Sequence, residues 1–454
     1  MPFDAMGRRA ANQRVGRRLR VAVIGGGISG LSAAWLLSGR HEVIVYERDR
    51  RLGGHANTID VPLSGKTVAV DAGFIVFNKR NYPNLTALFE ALGVAVETAD
   101  MSFAASLCDG GVEYSGRDLS AIFADRKSLA SPSHWVMLAD IVRFNREAKS
   151  ALERGLEDSV SLGAFVEERK FSHAFVNRFL VPMAAAIWST PSIRILDYPA
   201  ASLFRFYANH GLLQTSNIPQ WNTVSGGSRT YVERISERFH HQARLCVGVV
   251  SVERASGAVI VTDEKGAADR FDEVVIATHA DRALAMLKNP TDRERALLGA
   301  FAYQPNRAVA HFDKSQMPIR RRAWASWNYL GGDGAAAVTY WMNLLQNIKS
   351  DRDIFVTLNP LTPVRDEDVI AEFEYDHPMF DIEAGRAQKE LWSLQGVGGV
   401  WFCGAHFGSG FHEDGLQAGL AVAEDLGGVR RPWTVAGDSA RIWRQSPPVA
   451  AAAE

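Results

Sequence analysis

The chain has 454 residues, of which 47% are hydrophobic and 22% charged, a composition typical of a globular protein with two or three domains. Its formal net charge of −1 provides no overall field that would attract nucleic acid, so we expect no nucleic-acid partner. The three cysteines form no C-x-x-C pair and therefore indicate neither a redox dithiol nor a thiolate zinc site, which fits a reducing cytoplasm.

The N-terminus is the one strongly charged segment, and we predict that residues 1–19 form a basic tail. Residues 8–20 contain no acidic residue and these arginines: Arg8, Arg9, Arg14, Arg17, Arg18 and Arg20. Either the tail is disordered, or it contacts anionic lipid headgroups, where each Lys or Arg contributes about 1 kcal/mol. The uncharged run at residues 21–37 is interrupted by four glycines, so it predicts neither a signal peptide nor a membrane-spanning helix. We expect a cytoplasmic protein, either free or peripheral at the inner face of the cell membrane.

Residues 20–47 are typical of a βαβ unit, with a helix at residues 29–38 that we expect to end at Gly39. Strand, glycine-rich turn, helix and strand follow one another without interruption. Such a unit is the usual start of a fold that binds a dinucleotide.

The turn of this unit carries the pattern Gly25-x-Gly27-x-x-Gly30. The first glycine permits a tight turn, the second lets the backbone approach a pyrophosphate, and the third lets the helix pack against the strand. Glu47 follows the second strand, where its carboxylate can accept hydrogen bonds from a ribose. The pattern in this context predicts a dinucleotide site.

The later elements predict that this nucleotide fold is interrupted. In chain order they are a helix at 133–156, two strands at 245–262, a buried strand at 271–278, an antiparallel sheet at 301–358 and a strand, turn and helix at 396–425. We therefore predict an α/β protein with a discontinuous Rossmann-like dinucleotide-binding domain and an inserted α+β substrate domain that has a helical part and an antiparallel sheet. The predicted boundaries are 20–80, 215–290 and 395–430 for the dinucleotide-binding domain, 81–214 and 291–394 for the substrate domain, and 431–454 for a loose C-terminal tail.

A second glycine pair lies in Arg51-Leu52-Gly53-Gly54-His55. With this segment the chain resembles the FAD-dependent amine oxidase and phytoene desaturase superfamily, and the resemblance implies that the dinucleotide is FAD and that the Rossmann-like domain binds it. Further segments that carry the resemblance are Asp71-Ala72-Gly73-Phe74, Val274 to Thr278, Val249, Cys403-Gly404-Ala405-His406, Gly415 and Gly419.

The resemblance implies that the Gly-Gly pair lies on the pyrophosphate, that the loop at 73–74 passes near the isoalloxazine, and that the segment 404–419 reaches the flavin. The residues predicted to contact FAD are Gly25, Gly27, Ile28, Ser29, Gly30, Glu47, Arg48, Gly53, Gly54, His55, Gly73, Phe74, Val249, Thr278, Gly404, His406, Phe411 and Leu416. No cysteine matches the attachment position of covalently flavinylated members, so we expect non-covalent FAD.

The closing segment departs from the family pattern, because His406 stands where an acidic residue is usual. Near it, a helix that begins at about Phe411 would direct its positive end toward the charge that develops on a reduced flavin. His412 is the candidate acid–base residue, although a histidine at such a turn can equally serve only as a hydrogen-bonding partner. The histidine spacing matches no zinc pattern, so we expect no metal.

Three strings resemble a bacterial subgroup of the superfamily associated with methyl-branched and furan fatty acids: WNTVSGGSRTY at 221–231, YDHPMFD at 375–381 and GSGFHEDG at 408–415. The resemblance implies an apolar lipid substrate whose acyl chain is dehydrogenated by hydride transfer to flavin N5. The sequence leaves two alternatives open: an oxidase of small amines or polyamines, and a flavin-binding partner of a separate lipid-modifying enzyme.

Overall fold

The structure is a computed structural model that describes residues 17–63, 65–157, 159–188, 192–209, 211–213, 219–332 and 335–444. Most of the predicted basic tail, including Arg8, Arg9 and Arg14, therefore lies outside the described residues. Arg17 pairs with Asp272 at 3.1 Å, and the guanidinium of Arg20 lies 4.6 Å above the ring of Phe271.

The strands of the described residues form five sheets. In chain order they are β1 Arg20–Ile24, β2 Glu42–Tyr46, β3 Thr58–Leu63, β4 Lys66–Asp71, β5 Phe77–Asn78, β6 Val96–Ala99, β7 Phe103–Leu107, β8 Val112–Ser115, β9 Trp221–Val224, β10 Ala243–Arg244, β11 Val249–Ala255, β12 Ala258–Asp263, β13 Ala268–Phe271, β14 Glu273–Ile276, β15 Ala302–His311, β16 Trp327–Gly332, β17 Ala335–Trp341, β18 Phe355–Leu358, β19 Val369–Met379 and β20 Val400–Phe402.

The helices lie on both sides of these sheets. In chain order they are α1 Ile28–Leu37, α2 Pro83–Leu92, α3 Leu119–Ile122, α4 Pro132–Glu153, α5 Leu162–Glu168, α6 His173–Phe175, α7 Val181–Trp188, α8 Ala200–Asn209, α9 Arg229–Ser236, α10 Ala280–Met286, α11 Asp292–Leu298, α12 Met342–Leu345, α13 Ile382–Gln388 and α14 His412–Leu426. The 3-10 segment Arg126–Ala130 immediately precedes α4, and a π-helical turn, Val176–Leu180, joins α6 to α7.

The parallel sheet has the strand order β10-β2-β1-β14-β20. Its strands are nearly continuous runs of aliphatic residues, such as VAVI in β1 and VVI in β14, because a parallel sheet is covered on both faces. It takes strands from the start, the middle and the end of the chain, as expected for a discontinuous Rossmann-like fold. The exact domain boundaries stay predictions.

The first and last helices of this fold cross at very short range. A Cβ atom on Gly419 of α14 would lie 2.1 Å from the carbonyl oxygen of Ser29 in α1, and one on Gly415 would lie 2.8 Å from the Ser29 hydroxyl oxygen. Only glycine at these two positions permits the observed approach, which joins the first motif of the chain to the last.

The predicted antiparallel sheet is larger than residues 301–358. It contains seven strands in the order β19-β15-β18-β17-β16-β7-β8, and β7 joins β16 in parallel while the other neighbours are antiparallel. Helices α4 to α8 pack beside β16 and β17 around a separate apolar core with buried aromatic residues such as Phe144 and Phe204. The helical part of the predicted substrate domain is therefore present.

Two local predictions are wrong. Gly39 does not cap helix α1, which ends at Leu37 with Ser38 as its C-cap in the right-handed helical conformation. Gly39 instead makes room for Val429, whose side chain would lie 2.8 Å from a Cβ atom at position 39. The described part of the predicted loose tail is packed, with Trp433 stacked on Trp35 at a centroid distance of 5.9 Å. Both differences arise because the chain after α14 returns to α1.

None of the helices in the described part of the chain combines the length and the apolar composition needed to cross a membrane.

Candidate active site

A cavity of about 990 Å³ lies at the carboxyl ends of β1, β2 and β14 and extends to the β15–β19 edge of the seven-stranded sheet. The predicted site residues that line it are Gly25, Gly27, Ile28, Ser29, Glu47, Arg48, Gly53, Gly54, His55, Gly73, Phe74, Val249, Thr278, Gly404, His406, Phe411 and His412. Segments separated by almost 400 positions therefore meet in one cavity, as the resemblance implies.

The glycine-rich turn is built by close backbone contacts. Gly25 has a φ of +106°, and a Cβ atom there would lie 2.7 Å from the carbonyl oxygen of Ala277. A Cβ atom on Gly30 would lie 1.9 Å from the carbonyl oxygen of Gly25. Gly30 is thus absent from the cavity wall, and its part is to let α1 pack against the turn.

Helix α1 begins directly behind this turn. Gly27 is its N-cap and has no side chain to accept hydrogen bonds from the first-turn N–H groups, while Ile28 and Ser29 of that turn line the cavity. The unpaired N–H groups and the positive end of the helix dipole make this end of α1 suited to a phosphate.

Glu47 occupies the end of β2, where its carboxylate accepts hydrogen bonds from the backbone N–H of Gly26 at 2.7 Å and of Asp49 at 2.9 Å. Burial raises the pKa of Glu47, and the two N–H donors oppose that rise. An ionised carboxylate has about four lone-pair sites, so acceptor capacity remains for a ribose hydroxyl. Arg48 beside it is exposed at the edge of the cavity.

The second glycine pair lies against the first. The N–H of Gly53 donates to the carbonyl oxygen of Gly26 at 2.8 Å, and a Cβ atom on Gly54 would lie 3.1 Å from the Cα of Gly27. Arg51 fixes this turn, because its guanidinium donates to the carbonyl oxygen of Gly54 at 2.9 Å. The contact of Arg51 with this turn was not predicted from the sequence, although its position next to the glycine pair was a usable signal.

The loop at 73–74 packs against His55. The N–H of Phe74 donates to the carbonyl oxygen of His55 at 2.7 Å, and a Cβ atom on Gly73 would lie 2.2 Å from the same oxygen. The ring of Phe74 is held in turn by His412, whose imidazole is stacked on it with centroids 3.9 Å apart and planes 10° apart.

His412 is a neutral group in this site. Its Nε2 lies 2.6 Å from the hydroxyl oxygen of Tyr231, and burial lowers the pKa of His412 to about 3. A base with so low a pKa takes up a proton poorly at neutral pH. The arrangement favours a role in positioning Phe74, and the acid–base role stays a prediction.

A cluster of histidines that the sequence did not predict lines the same cavity. The ring centroid of His55 lies 5.7 Å from that of His377 and 6.5 Å from that of His279. Burial lowers the pKa of His377 to about 4 and that of His279 as well. These neutral imidazoles offer hydrogen bonds to a ligand without adding positive charge.

His406 occupies the position where an acid was expected. Burial lowers the pKa of His406 to about 3, and its Nε2 has no hydrogen-bond partner among the described residues. A buried polar atom without a partner costs about 1–3 kcal/mol. A ligand in the cavity that supplied the partner would remove this cost.

Leu416 is the second predicted residue that does not line the cavity. It is fully buried in the core next to the parallel sheet, one turn beyond the start of α14. Phe411, the N-cap of α14, does line the cavity, so the helix begins at the wall as predicted. Successive residues of a helix face different directions, so within one turn some side chains face the cavity and others the core; Leu416 faces the core.

The far end of the cavity is aromatic and aliphatic. The residues that line it are Ile187, Phe206, Leu212, Trp327, Tyr340 and Phe411. The indole Nε1 of Trp327 is buried and has no hydrogen-bond partner among the described residues. This end therefore offers a largely apolar wall whose polar groups are the Trp327 indole N–H and the Tyr340 hydroxyl.

These features fit FAD. The glycine turn, whose surface is backbone, and the N-terminus of α1 suit the pyrophosphate, and Glu47 suits the ribose. His406, whose Nε2 has no partner among the described residues, lies where the segment 403–406 reaches the cavity. Fold and site together define a dinucleotide-binding flavoprotein.

The chain matches the family of flavin containing amine oxidoreductases over residues 28–334, more than half of its length, and belongs to that family. It is an FAD-dependent oxidoreductase, and the predicted superfamily, fold class and cofactor are confirmed. No curated protein sequence matches the chain.

Solved structures share the fold at low sequence identity. Wild-type putrescine oxidase bound to putrescine is 16% identical with a TM-score of 0.65, and the match covers 90% of this chain and 99% of that one. The CLA-producing fatty acid isomerase from P. acnes is 14% identical with a TM-score of 0.64, covering 90% and 98%. Cyclohexylamine oxidase from Brevibacterium oxydans IH-35A is 16% identical with a TM-score of 0.62, covering 90% and 100%.

Proposed function

We propose that this flavoenzyme dehydrogenates the acyl chain of a lipid. The observation that carries the proposal is the composition of the far end of the cavity, where apolar side chains predominate and the polar groups are the Tyr340 hydroxyl and the Trp327 indole N–H. An acyl chain matches the apolar wall, and an ester or carboxylate oxygen matches these donors.

The placement of carboxylates supports a lipid over a cationic amine. Beyond the ribose end, the acidic residues along the described cavity wall are Glu374 and Asp376 of β19. They alternate with Phe373, Tyr375 and His377, and the ring of Tyr375 lies 4.9 Å from that of His55 inside the cavity. By the alternation of side chains along a strand, the two carboxylates point away from that ring, while both residues still border the cavity. An N–H donor such as that of Trp327 repels an ammonium group.

FAD supplies the two-electron acceptor when it is bound. The protein orients the substrate and excludes water from it. An alkyl C–H bond forms no hydrogen bonds, so the aromatic wall of the cavity must hold it in place by packing. Tyr231 and His412 hold the ring of Phe74 in place at the cavity wall.

Three proteins of similar fold bear on the substrate in opposite directions. The fatty acid isomerase supports an acyl chain, and the two amine oxidases support the alternative of an amine. A flavin-binding partner of another lipid enzyme is the third candidate.

Anaerobic mixing of the holoenzyme with a methyl-branched phospholipid tests the proposal. We expect bleaching of the oxidised flavin absorbance by the lipid and none by putrescine. Reduction by dithionite in a parallel sample controls for a competent flavin. Bleaching by the amine alone would establish an amine oxidase, and a reducible flavin that neither compound bleaches would overturn the proposal in favour of a binding partner.

A further inference from the structure

Helix α4 buries one side and exposes the other over about 33 Å of length. Its buried side contacts the helical core through Met137, Phe144, Ala148 and Ala151. These positions recur every three to four residues, as expected for a helix that is anchored along one stripe.

The opposite stripe is apolar in its first half and basic in its second. Trp135, Ala139, Val142, Arg146 and Lys149 are all exposed and follow one another at spacings of three or four residues. The exposed fractions of Trp135 and Val142 are 50% and 62%, unusually high for large apolar side chains. A soluble surface normally places polar residues there.

The preceding 3-10 segment extends this surface. Arg126, Lys127 and Leu129 are exposed, and the indole N–H of Trp135 donates to the carbonyl oxygen of Leu129 at 3.0 Å. The indole polar atom is therefore satisfied within the chain, and the apolar part of the ring remains exposed. We call Arg126, Lys127, Leu129, Trp135, Val142, Arg146 and Lys149 the α4 face.

The positive charge of the α4 face is not neutralised by its own helix. Asp140 is buried and pairs with Arg143, and Glu147 pairs with Arg169 at 2.8 Å. Within the described ranges, Arg126, Lys127, Arg146 and Lys149 form no ion pair, and the one exposed acid on their stripe of the helix is Glu153, one turn beyond Lys149 at its end. The face thus combines exposed apolar side chains with uncompensated cations.

We propose that the α4 face docks on a lipid bilayer that contains anionic headgroups. A helix that lies in the bilayer interface has an apolar stripe with tryptophan and flanking Lys and Arg residues, and its attachment depends on both. Charge complementarity selects an anionic lipid surface over an apolar protein partner. This inference is independent of the proposed substrate, because it concerns attachment and not turnover.

Co-sedimentation of the holoenzyme with vesicles tests the proposal. We expect binding to vesicles of phosphatidylglycerol and phosphatidylcholine in equal parts, weak binding to phosphatidylcholine alone, and weakening by salt. Arg146→Gln with Lys149→Gln should reduce the affinity about 30-fold, since each cation contributes roughly a factor of five. Val142→Asp should abolish most of the binding. All three positions are exposed, so the variants should fold as the wild type does, which flavin absorbance and melting temperature verify.

Matched control variants lie on other surfaces of the chain. Lys265→Gln with Arg40→Gln removes two exposed cations, and Leu361→Asp adds a charge at an exposed leucine. These should bind the anionic vesicles as the wild type does. The proposal is overturned if the α4 variants bind like the wild type, if deletion of residues 1–16 alone abolishes binding, or if Val142→Asp changes only the self-association seen by light scattering.

Discussion

The guanidinium of Arg441 lies 2.7 Å from the carboxylate of Asp414, in the first turn of α14. The carboxylate is completely buried, and the Arg441 side chain is 19% exposed. This ion pair connects the end of the described chain to the helix that begins at the cavity wall.

Replacing Arg441 by Met should destabilise the protein by about 3–5 kcal/mol, because Asp414 would remain as a buried charge without its cation. Arg444→Met is the matched control, since Arg444 pairs with Asp425 at a site that is one-third exposed and should cost less than about 1 kcal/mol. Denaturant unfolding of the two holoenzymes measures the difference. An equal decrease in the free energy of unfolding in both variants would show that the buried pair stabilises the protein no more than the exposed one.

Gly30→Ala should abolish FAD binding or folding, because its Cβ would lie 1.9 Å from the carbonyl oxygen of Gly25. Gly385→Ala in α13 is the control: nothing lies within 4 Å of its Cβ position, and alanine in a helix should stabilise by about 0.5–1 kcal/mol. The flavin-to-protein absorbance ratio of the purified variants reports the outcome. A flavin-replete Gly30→Ala protein would contradict the packing derived for the turn.

Acid should destabilise the protein through His406. Its folded pKa of about 3 lies below the usual 6.5, so the unfolded state takes up the proton first. The resulting loss of stability begins below about pH 6.5 and reaches roughly 2 kcal/mol at pH 5. His406→Gln should reduce the slope of melting temperature against pH between 6.5 and 4.5 without removing it, because His377 and His412, whose pKa values burial also lowers, still contribute. The exposed His240→Gln should leave the slope unchanged.

Asp71 acts in the other direction over part of this range. Burial raises the pKa of Asp71 to about 6 from 3.8, so its contribution to stability falls as the pH rises from about 4 to 6. The effect of His406→Gln is therefore the difference between the slopes of melting temperature against pH in the variant and in the wild type, because the wild-type slope also contains the opposing contribution of Asp71.

Trp327→Phe should raise the KM for an ester lipid about 5- to 10-fold with little change in kcat, because it removes the buried indole donor and keeps an aromatic wall. Trp443→Phe, at an exposed tryptophan, is the control and should change neither constant. An unaltered KM in Trp327→Phe would mean that the donor does not contact the substrate.

The local parts of the site were predictable. The spacing of Gly25, Gly27 and Gly30 and the place of Glu47 after a strand are properties of one short segment, and all four occupy the expected positions. The start of α14 at Phe411 was predictable for the same reason.

Contacts between distant segments were not predictable from the sequence. The approach of His55 to His377 and the pair formed by Arg441 and Asp414 join residues that no local pattern relates. The packing of residues 431–444 was missed because it depends on an ion pair and a stacked tryptophan, whereas the periodicity of apolar residues there is weak. Likewise, the parallel entry of β7 into the large sheet depends on tertiary context.

The glycine contacts between α14 and α1 also determine when the cofactor site can exist. The phosphate turn near Ser29 is synthesised almost 400 residues before the helix that packs on it through Gly415 and Gly419. While those residues are being made, the nascent chain holds only part of the nucleotide site, because β14 and β20 are still missing from the parallel sheet. The complete site therefore cannot form before α14 has been synthesised, and until β14 is in place one edge of β1 is open to pairing with other strands.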